Sequence, residues 1–391
     1  MTSSEVRVGQ GHRVAPLELF FDLVVVFAFT QVTSYFAHPT WDGLARGLLL
    51  LAMVWWAWSA YAWLTNHLDP EQGSVRLVVL LGMAAMLGVS LSLPGAFGSD
   101  GLLFAIAYFI VRGLHLVLLA FAGRGDRDLF GAVMRVVPSA TVGPALLVVA
   151  ALVHGSARVI LWCLAVVVSY LGPLLGHMRG WRVSPSHFVE RFGSIIIIAL
   201  GESIVAIGVG ARSLALTFQV ITASALGITV IACLWWAYFD WVALVAESRL
   251  AQATDSARAL LARDAYSYIH LPMVAGIVLF AFGLQETLAH PADPLRSAAG
   301  CGLAGGVALY LAAHVAFRLR LGGGLGHGRP VAAVVLLGLV PAAWTLSAEA
   351  ALLLVTLVCV ALIAYEFFRH REERAAIRSR RPGEIIQGKE S

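Results

Sequence analysis

Apolar runs near 20 residues long recur from one end of this chain to the other, with only short polar segments between them. A helix rises about 1.5 Å per residue, so about 20 apolar residues cross the hydrocarbon core of a bilayer. Read this way, the sequence predicts twelve spans: 16–36, 42–65, 75–96, 101–122, 130–152, 157–178, 187–209, 216–246, 264–288, 297–319, 330–347 and 350–369. Two are irregular. The run 330–347 is short, and 216–246 is long enough to end outside the membrane. No segment between runs could hold a soluble domain. The expected fold class is therefore all-α, a polytopic membrane protein of about twelve transmembrane helices.

The runs also repeat. Glu18-Leu19-Phe20-Phe21-Asp22 precedes an apolar run, and so does Glu190-Arg191-Phe192-Gly193-Ser194. Trp55-Trp56-Ala57-Trp58 recurs as Trp235-Trp236-Ala237-Tyr238, and Tyr108 aligns with Tyr310, which sets Arg112 opposite His314. Six spans are an even number, so a second copy re-enters the membrane in the same orientation as the first. The expected repeats are parallel, related by an axis along the membrane normal. The predicted organisation is an N-terminal segment 1–15, a first six-helix repeat 16–178, a linker 179–186, a second six-helix repeat 187–369 and a basic tail 370–391. The many glycines suit close helix approach, with Gly201, Gly208 and Gly210 expected in that role.

Charge sets the orientation. Only 13% of residues are charged and 59% are hydrophobic, and the mean hydropathy is +0.83. With both termini cytoplasmic, inner segments hold 21 of the 27 Lys and Arg and outer segments 4, while Arg112 and Arg191 fall within spans. Such a bias is a positive-inside signal. It predicts a multi-pass protein of the cytoplasmic (inner) membrane. The net charge of +4 comes from these inner arginines and speaks to lipid headgroups, not to nucleic acid. Residues 1–15 lack the apolar core of a cleaved signal, so the first span is expected to act as a signal anchor. Cys163, Cys233, Cys301 and Cys359 lie within spans without metal-ligand spacing, and are expected to pack as small apolar residues.

Ionisable residues inside a membrane are costly and face a bundle interior or a pathway. The pathway candidates are Glu18, Asp22, Arg112, Glu190, Glu202, Asp240, His270, Glu286 and His314. His115 and Arg191 are also intramembrane. Glu18 and Asp22 lie four apart on one helix face. With Glu190 and Glu202 they form an expected ladder of acids, low to high along the first and seventh helices. Bland readings stand beside this one. Glu18 and Glu190 could cap helices or pair with inner arginines. Arg191 could snorkel to the interface, and Asp22 could neutralise Arg112. His270 could be a satisfied core histidine. The tryptophans read first as packing and interface anchors. Glu202 is harder to dismiss, because no base lies near it in sequence.

Pro16-Leu17-Glu18-Leu19-Phe20-Phe21-Asp22-Leu23-Val24 resembles the opening signature of the bacterial low temperature requirement A (LtrA) family. Glu190-Arg191-Phe192-Gly193 through Leu200-Gly201-Glu202-Ser203-Ile204 resembles its central signature, and Tyr268-Ile269-His270-Leu271-Pro272 through Gly276-Ile277 a third. The resemblance covers roughly residues 14–370. It implies a link to growth in the cold but supplies no molecular activity.

Absent motifs narrow the functional classes. There is no GxxxxGK[ST] loop for ATP, no HExxH or paired-Cys metal site and no Ser/His/Asp arrangement. No cofactor or metal is implied. The leading expectation is a channel or secondary transporter for a cation or proton-coupled solute, running between the two halves. The alternatives are a structural or regulatory membrane protein, or a membrane-embedded enzyme acting on a lipid-linked substrate. The bilayer and a small ion or solute are the expected partners.

Overall fold

The computed structural model describes residues 14–36, 40–211, 215–240 and 242–369. Arg7, Arg13, Arg212 and the basic tail beyond Arg369 lie outside the described residues. Those described form helices and connecting turns, with no strand among them. The first half comprises α1 (Pro16–Tyr35), α2 (Trp41–Thr65), α3 (Gly73–Ser92), α4 (Gly101–Ala122), α5 (Arg127–Leu152) and α6 (Ser156–Leu175). The second comprises α7 (Pro185–Ala211), α8 (Phe218–Phe239), two short helices α9 (Val242–Gln252) and α10 (Asp255–Leu261), α11 (His270–Ala289), α12 (Ser297–Gly300), α13 (Gly306–Arg320), α14 (Gly328–Ala343) and α15 (Ala348–Arg369). A π-helical turn, Ala262–Tyr268, joins α10 to α11, and a second, Cys301–Gly305, joins α12 to α13.

Eleven helical stretches are long and apolar enough to cross a bilayer, including Asp255–Ala289 and Ser297–Arg320 as continuous spans through their π turns. The predicted span 330–347, the eleventh, is only partly realised. α14 has 16 residues, which reach about 24 Å at 1.5 Å per residue, short of a hydrocarbon core of about 30 Å. The long run 216–246 is not one helix. α8 stops at Phe239, and α9 begins a separate helix at Val242.

Local chemistry sets several helix starts. Pro16 begins α1 at the position where a missing N–H costs nothing, and Glu18 turns back to accept from the Ala15 N–H at 2.9 Å. The Thr40 hydroxyl caps α2 at 3.0 Å, and the Asp126 carboxylate caps α5 at 3.1 Å.

The bundle is inside-out relative to a soluble protein. Leu, Ile, Val and Phe side chains such as Leu77, Leu91, Ile160, Leu175, Ile221 and Val334 are exposed on its outer faces. Glu18, Asp22, Arg112, His115, His187, Arg191, Glu202, His270 and His314 are buried within it. The first set faces lipid, and the second is enclosed by protein.

Within the first half, α1 packs on α2 and α3, α3 on α4, α4 on α5, α5 on α6, and α6 on α2. Within the second, α7 packs on α8 and α11, α11 on α13, α13 on α14, α14 on α15, and α15 on α8. The halves meet along α1–α7, with α11 touching α1 and α2. The first π turn strengthens this seam. It presents the Ser267 carbonyl to Trp55 Nε1 at 2.7 Å and the Ser267 hydroxyl to Trp63 Nε1 at 2.8 Å. Arg263 on the same turn donates to the Pro173 and Leu174 carbonyls at the end of α6.

Two glycine expectations do not hold. A Cβ at Gly201 or Gly208 would meet nothing within 4 Å, so neither mediates close approach, while Gly210 does lie against Leu288. The close approach is instead between α11 and α13, where a Cβ on Gly276 would lie 2.5 Å from the Gly306 carbonyl oxygen. Cys163 faces outward instead of packing inside, and only Cys359 is fully buried.

Candidate functional site

The α1–α7 seam gathers most of the buried charge. Glu18 and Asp22 are one turn apart on α1; His187 and Arg191 are one turn apart on α7. Glu18 Oε2 meets His187 Nε2 at 3.1 Å, and Arg191 Nη1 donates to Asp22 Oδ2. Higher up, Thr30 on α1 hydrogen-bonds Glu202 on α7. Contacts that advance together along both chains require α1 and α7 to run in the same direction, side by side.

The lower group is a closed ionic cluster. Arg191 Nε also lies 3.4 Å from Glu18 Oε1. Trp58 Nε1 from α2 donates to Asp22 Oδ1 at 2.8 Å, and the Arg191 guanidinium sits 5.3 Å from the centre of the same indole. Glu18, Asp22, His187 and Arg191 are each at most 2% exposed, so solvent does not screen them. Two carboxylates face one permanent cation. The cluster therefore holds more acid than permanent cation, with His187 as its second basic group.

This geometry corrects two expectations. Asp22 does not neutralise Arg112; its carboxylate is bound by Arg191 and Trp58. Arg191 does not snorkel to the interface, being 1% exposed and turned inward onto the acids of α1. Depth alone suggested snorkelling, but the face of α7 on which Arg191 lies points at α1.

The upper group is simpler. Glu202 is 1% exposed, and no basic residue pairs with it among those described. Its partners are the Thr30 hydroxyl, which also lies 3.2 Å from the Val26 carbonyl, and the Thr33 hydroxyl one turn away. A hydroxyl has one proton. When Thr30 gives that proton to Glu202, the carboxyl accepts. When Thr30 gives it to Val26, a protonated carboxyl can donate to Thr30 in return. Ser203, next to Glu202, has a buried hydroxyl with no hydrogen-bond partner among the described residues. Between the two polar groups, the buried residues Val25 and Phe29 of α1 and Ile195, Ile196 and Ala199 of α7 are apolar.

His270 belongs to a third group. Its Nδ1 lies 2.9 Å from the Ala265 carbonyl, which fixes the proton there, so Nε2 accepts from the Tyr238 hydroxyl at 2.9 Å. Tyr266 stacks on the ring at 4.8 Å. His314 lies beside Tyr238, and its Nδ1 is 3.1 Å from the Tyr310 carbonyl. Phe192 bridges this group to the lower cluster, touching both His270 and Trp58.

The remaining candidates stand apart. Glu190 is exposed and does not mirror Glu18; its carboxylate accepts from the Val14 N–H at 3.4 Å. The ladder therefore comprises Glu18, Asp22 and Glu202 without Glu190. Asp240 sits at the C-terminal cap of α8. Glu286 is half-buried in the last turns of α11, with His290 and Arg296 as its charged neighbours. Arg112, midway along α4, lines a cavity inside the first half together with His115.

Four members of the seam were not among the expected pathway residues: Thr30, Trp58, His187 and Arg191. One signal was available for two of them. His187 and Arg191 are a basic pair with i,i+4 spacing, which matches the acidic i,i+4 pair Glu18 and Asp22.

The comparisons agree with the motifs. The family model described as bacterial low temperature requirement A protein (LtrA) matches residues 13–364. An uncharacterized protein of Rhizobium meliloti (strain 1021) is 32% identical over 290 residues, covering 70% of this chain and 69% of its own. No solved structure matches. With a family match across nearly its whole length, a seam built from that family's signature residues and a bundle faced with lipid-exposed side chains, this chain belongs to the bacterial low temperature requirement A (LtrA) family of multi-pass membrane proteins.

Proposed function

We propose that this protein is a secondary transporter or channel of the cytoplasmic membrane that moves a proton, a cation or a proton-coupled solute along the α1–α7 seam. The observation that carries the reading is Glu202. It is a buried acid on the seam, paired with a hydroxyl whose single proton has two alternative acceptors. The lower cluster adds a second proton-holding station. The apolar layer between them is what a closed pathway needs, since a continuous wet column would leak.

The parallel course of α1 and α7 and the like succession of neighbours in the two halves support a parallel duplication, with both termini on the cytoplasmic side. An inverted repeat would set its two first helices antiparallel. Transport by such a protein would support growth at low temperature, where a stiffer bilayer slows conformational exchange.

The test is flux in proteoliposomes. A pH-sensitive dye inside the vesicles reports proton movement under an imposed potential, with Na⁺ and K⁺ gradients run in parallel. Wild type should move at least one of these ions above protein-free vesicles. Glu202→Gln should insert normally and lose about tenfold or more of that flux, because the amide keeps shape but cannot exchange a proton. Undiminished flux in Glu202→Gln would remove the seam from the pathway.

A further inference from the structure

Arg112 cannot shed its charge. It lies midway along α4, 3% exposed, and no acid pairs with it among the described residues. Its Nη1 has no hydrogen-bond partner there, and neither does Nδ1 of His115, one turn further on. The partner that the sequence offered, Asp22, is taken by Arg191. A guanidinium at this depth costs several kcal/mol if left alone, so a counter-charge must come from elsewhere.

The surroundings indicate where. Arg112 and His115 line a cavity of about 70 Å³ enclosed by α2, α4, α5, α6 and the first π turn. Arg135, His177 and Arg263 line it too, and no Asp or Glu does. Two of these arginines are partly occupied: Arg263 binds Asp264 at 2.7 Å, and Arg135 donates to the Arg179 carbonyl. Both keep further N–H groups. Arg135 and His177 are exposed, while Arg112 is buried. The cavity therefore runs from a basic entrance to a basic head, along walls that include Trp56 and Trp63. Its volume is several times the roughly 10–15 Å³ that a single water needs, so it has room for a tetrahedral group.

We propose that this cavity is a binding site for an oxyanion of the phosphate class, held at its head by the Arg112 guanidinium. Planar N–H forks match phosphate oxygens in pairs, which a lone chloride cannot use. The aromatic walls admit either free phosphate or the phosphate of an anionic lipid entering from the basic end of the bundle. This site is separate from the α1–α7 seam, and its test reads binding, not flux, so it stands or falls independently of the proposed transport.

The experiment uses the full chain, purified in detergent and in nanodiscs. In detergent, thermal unfolding is followed against inorganic phosphate, with sodium chloride at matched ionic strength as control. In nanodiscs, native mass spectrometry compares retention of phosphatidylglycerol with that of phosphatidylcholine. Wild type should be stabilised by phosphate or should retain phosphatidylglycerol selectively. The first result assigns a free anion, the second a lipid headgroup. Arg112→Gln should weaken that binding by roughly tenfold or more, as expected for the loss of a charge-assisted hydrogen-bond pair. Arg135→Gln, at the entrance and exposed, covers the case in which Arg112→Gln does not fold, and should weaken binding severalfold. No response to either probe, or equal binding by wild type and both variants, overturns the site.

Discussion

Two cavities of the bundle differ in how their charge is met. In the first half the cavity is headed by Arg112 on α4 and walled by α5 and α6. In the second, a cavity of about 280 Å³ lies among α13, α14 and α15, with His314, Arg318, Arg329 and Glu366 in its lining. Arg112 and His314 are the residues that the sequence alignment of the halves sets opposite one another. The second cavity brings its own acid: Glu366 binds Arg329 at 2.8 and 3.0 Å. The first brings none. His314 can lie in an apolar bundle as a neutral ring, whereas Arg112 cannot be neutral at all. The second cavity thus meets one of its arginines, Arg329, with an acid of its own, although Arg318 and Arg369 line it too, whereas the first offers Arg112 no acid.

The comparison breaks first at Asp22. If Arg112 paired with that carboxylate, the first cavity would have its acid as well. Removing Arg191 should leave Glu18 and Asp22 buried against no permanent cation, a loss of about 3–5 kcal/mol. Arg191→Gln should therefore show a large drop in folded yield and melting temperature. Asp22→Asn with Arg191→Gln should recover much of it. Asp22→Asn with Arg112→Gln should be additive. Strong coupling in the second cycle and none in the first would reassign the acid to Arg112.

What the sequence could and could not say follows from the same residues. Apolar run length is a one-dimensional property, so the helices could be placed from it, although the break after Phe239 within the run 216–246 could not. Intramembrane acids and bases could be found by the same reading. Which acid meets which base depends on the angular position of each residue and on which helices are neighbours. Run length carries neither. Arg191 was therefore read by depth, as a snorkelling residue, when its face turns it onto Asp22. Gly201 was read as a packing glycine because glycine is common at helix contacts, yet its side faces open space. The seam was partly legible in the matched i,i+4 pairs; the cavity at Arg112 was not, because it takes four helices and a π turn to enclose it.

A second substitution sharpens the comparison by making the second cavity resemble the first. Arg329 and Glu366 have side chains 14% and 13% exposed. Glu366→Gln leaves the Arg329 charge without its carboxylate, which should cost about 1–3 kcal/mol and lower the melting temperature in low-phosphate buffer. Inorganic phosphate should then restore more stability to Glu366→Gln than it adds to wild type. An equal phosphate effect on both proteins would mean that an unmet arginine in such a cavity does not recruit an anion, and would weaken the reading of the first half with it.

The smallest effect concerns packing. α3 on α4 and α11 on α13 are both closely packed helix pairs, and they are built differently. In the second half, Gly276 and Gly306 bring two backbones together, so a methyl at Gly276 meets a carbonyl oxygen at 2.5 Å and the Tyr310 N at 2.8 Å. Backbone cannot move aside as a side-chain tip can, and Gly276→Ala should cost about 1–3 kcal/mol, the usual penalty for overpacking. In the first half, Gly88 faces only the Ala107 methyl, at 3.4 Å from a built Cβ. There the added contact is near ordinary van der Waals distance, and alanine favours a helix over glycine by about 0.8–1.0 kcal/mol. Gly88→Ala should therefore be neutral or slightly stabilising, within about 0.5 kcal/mol of wild type after partial offset by crowding. Melting curves of the two variants in one detergent decide the matter. Equal destabilisation would mean that the α3–α4 contact is as tight as the α11–α13 contact, and that the halves differ in charge alone.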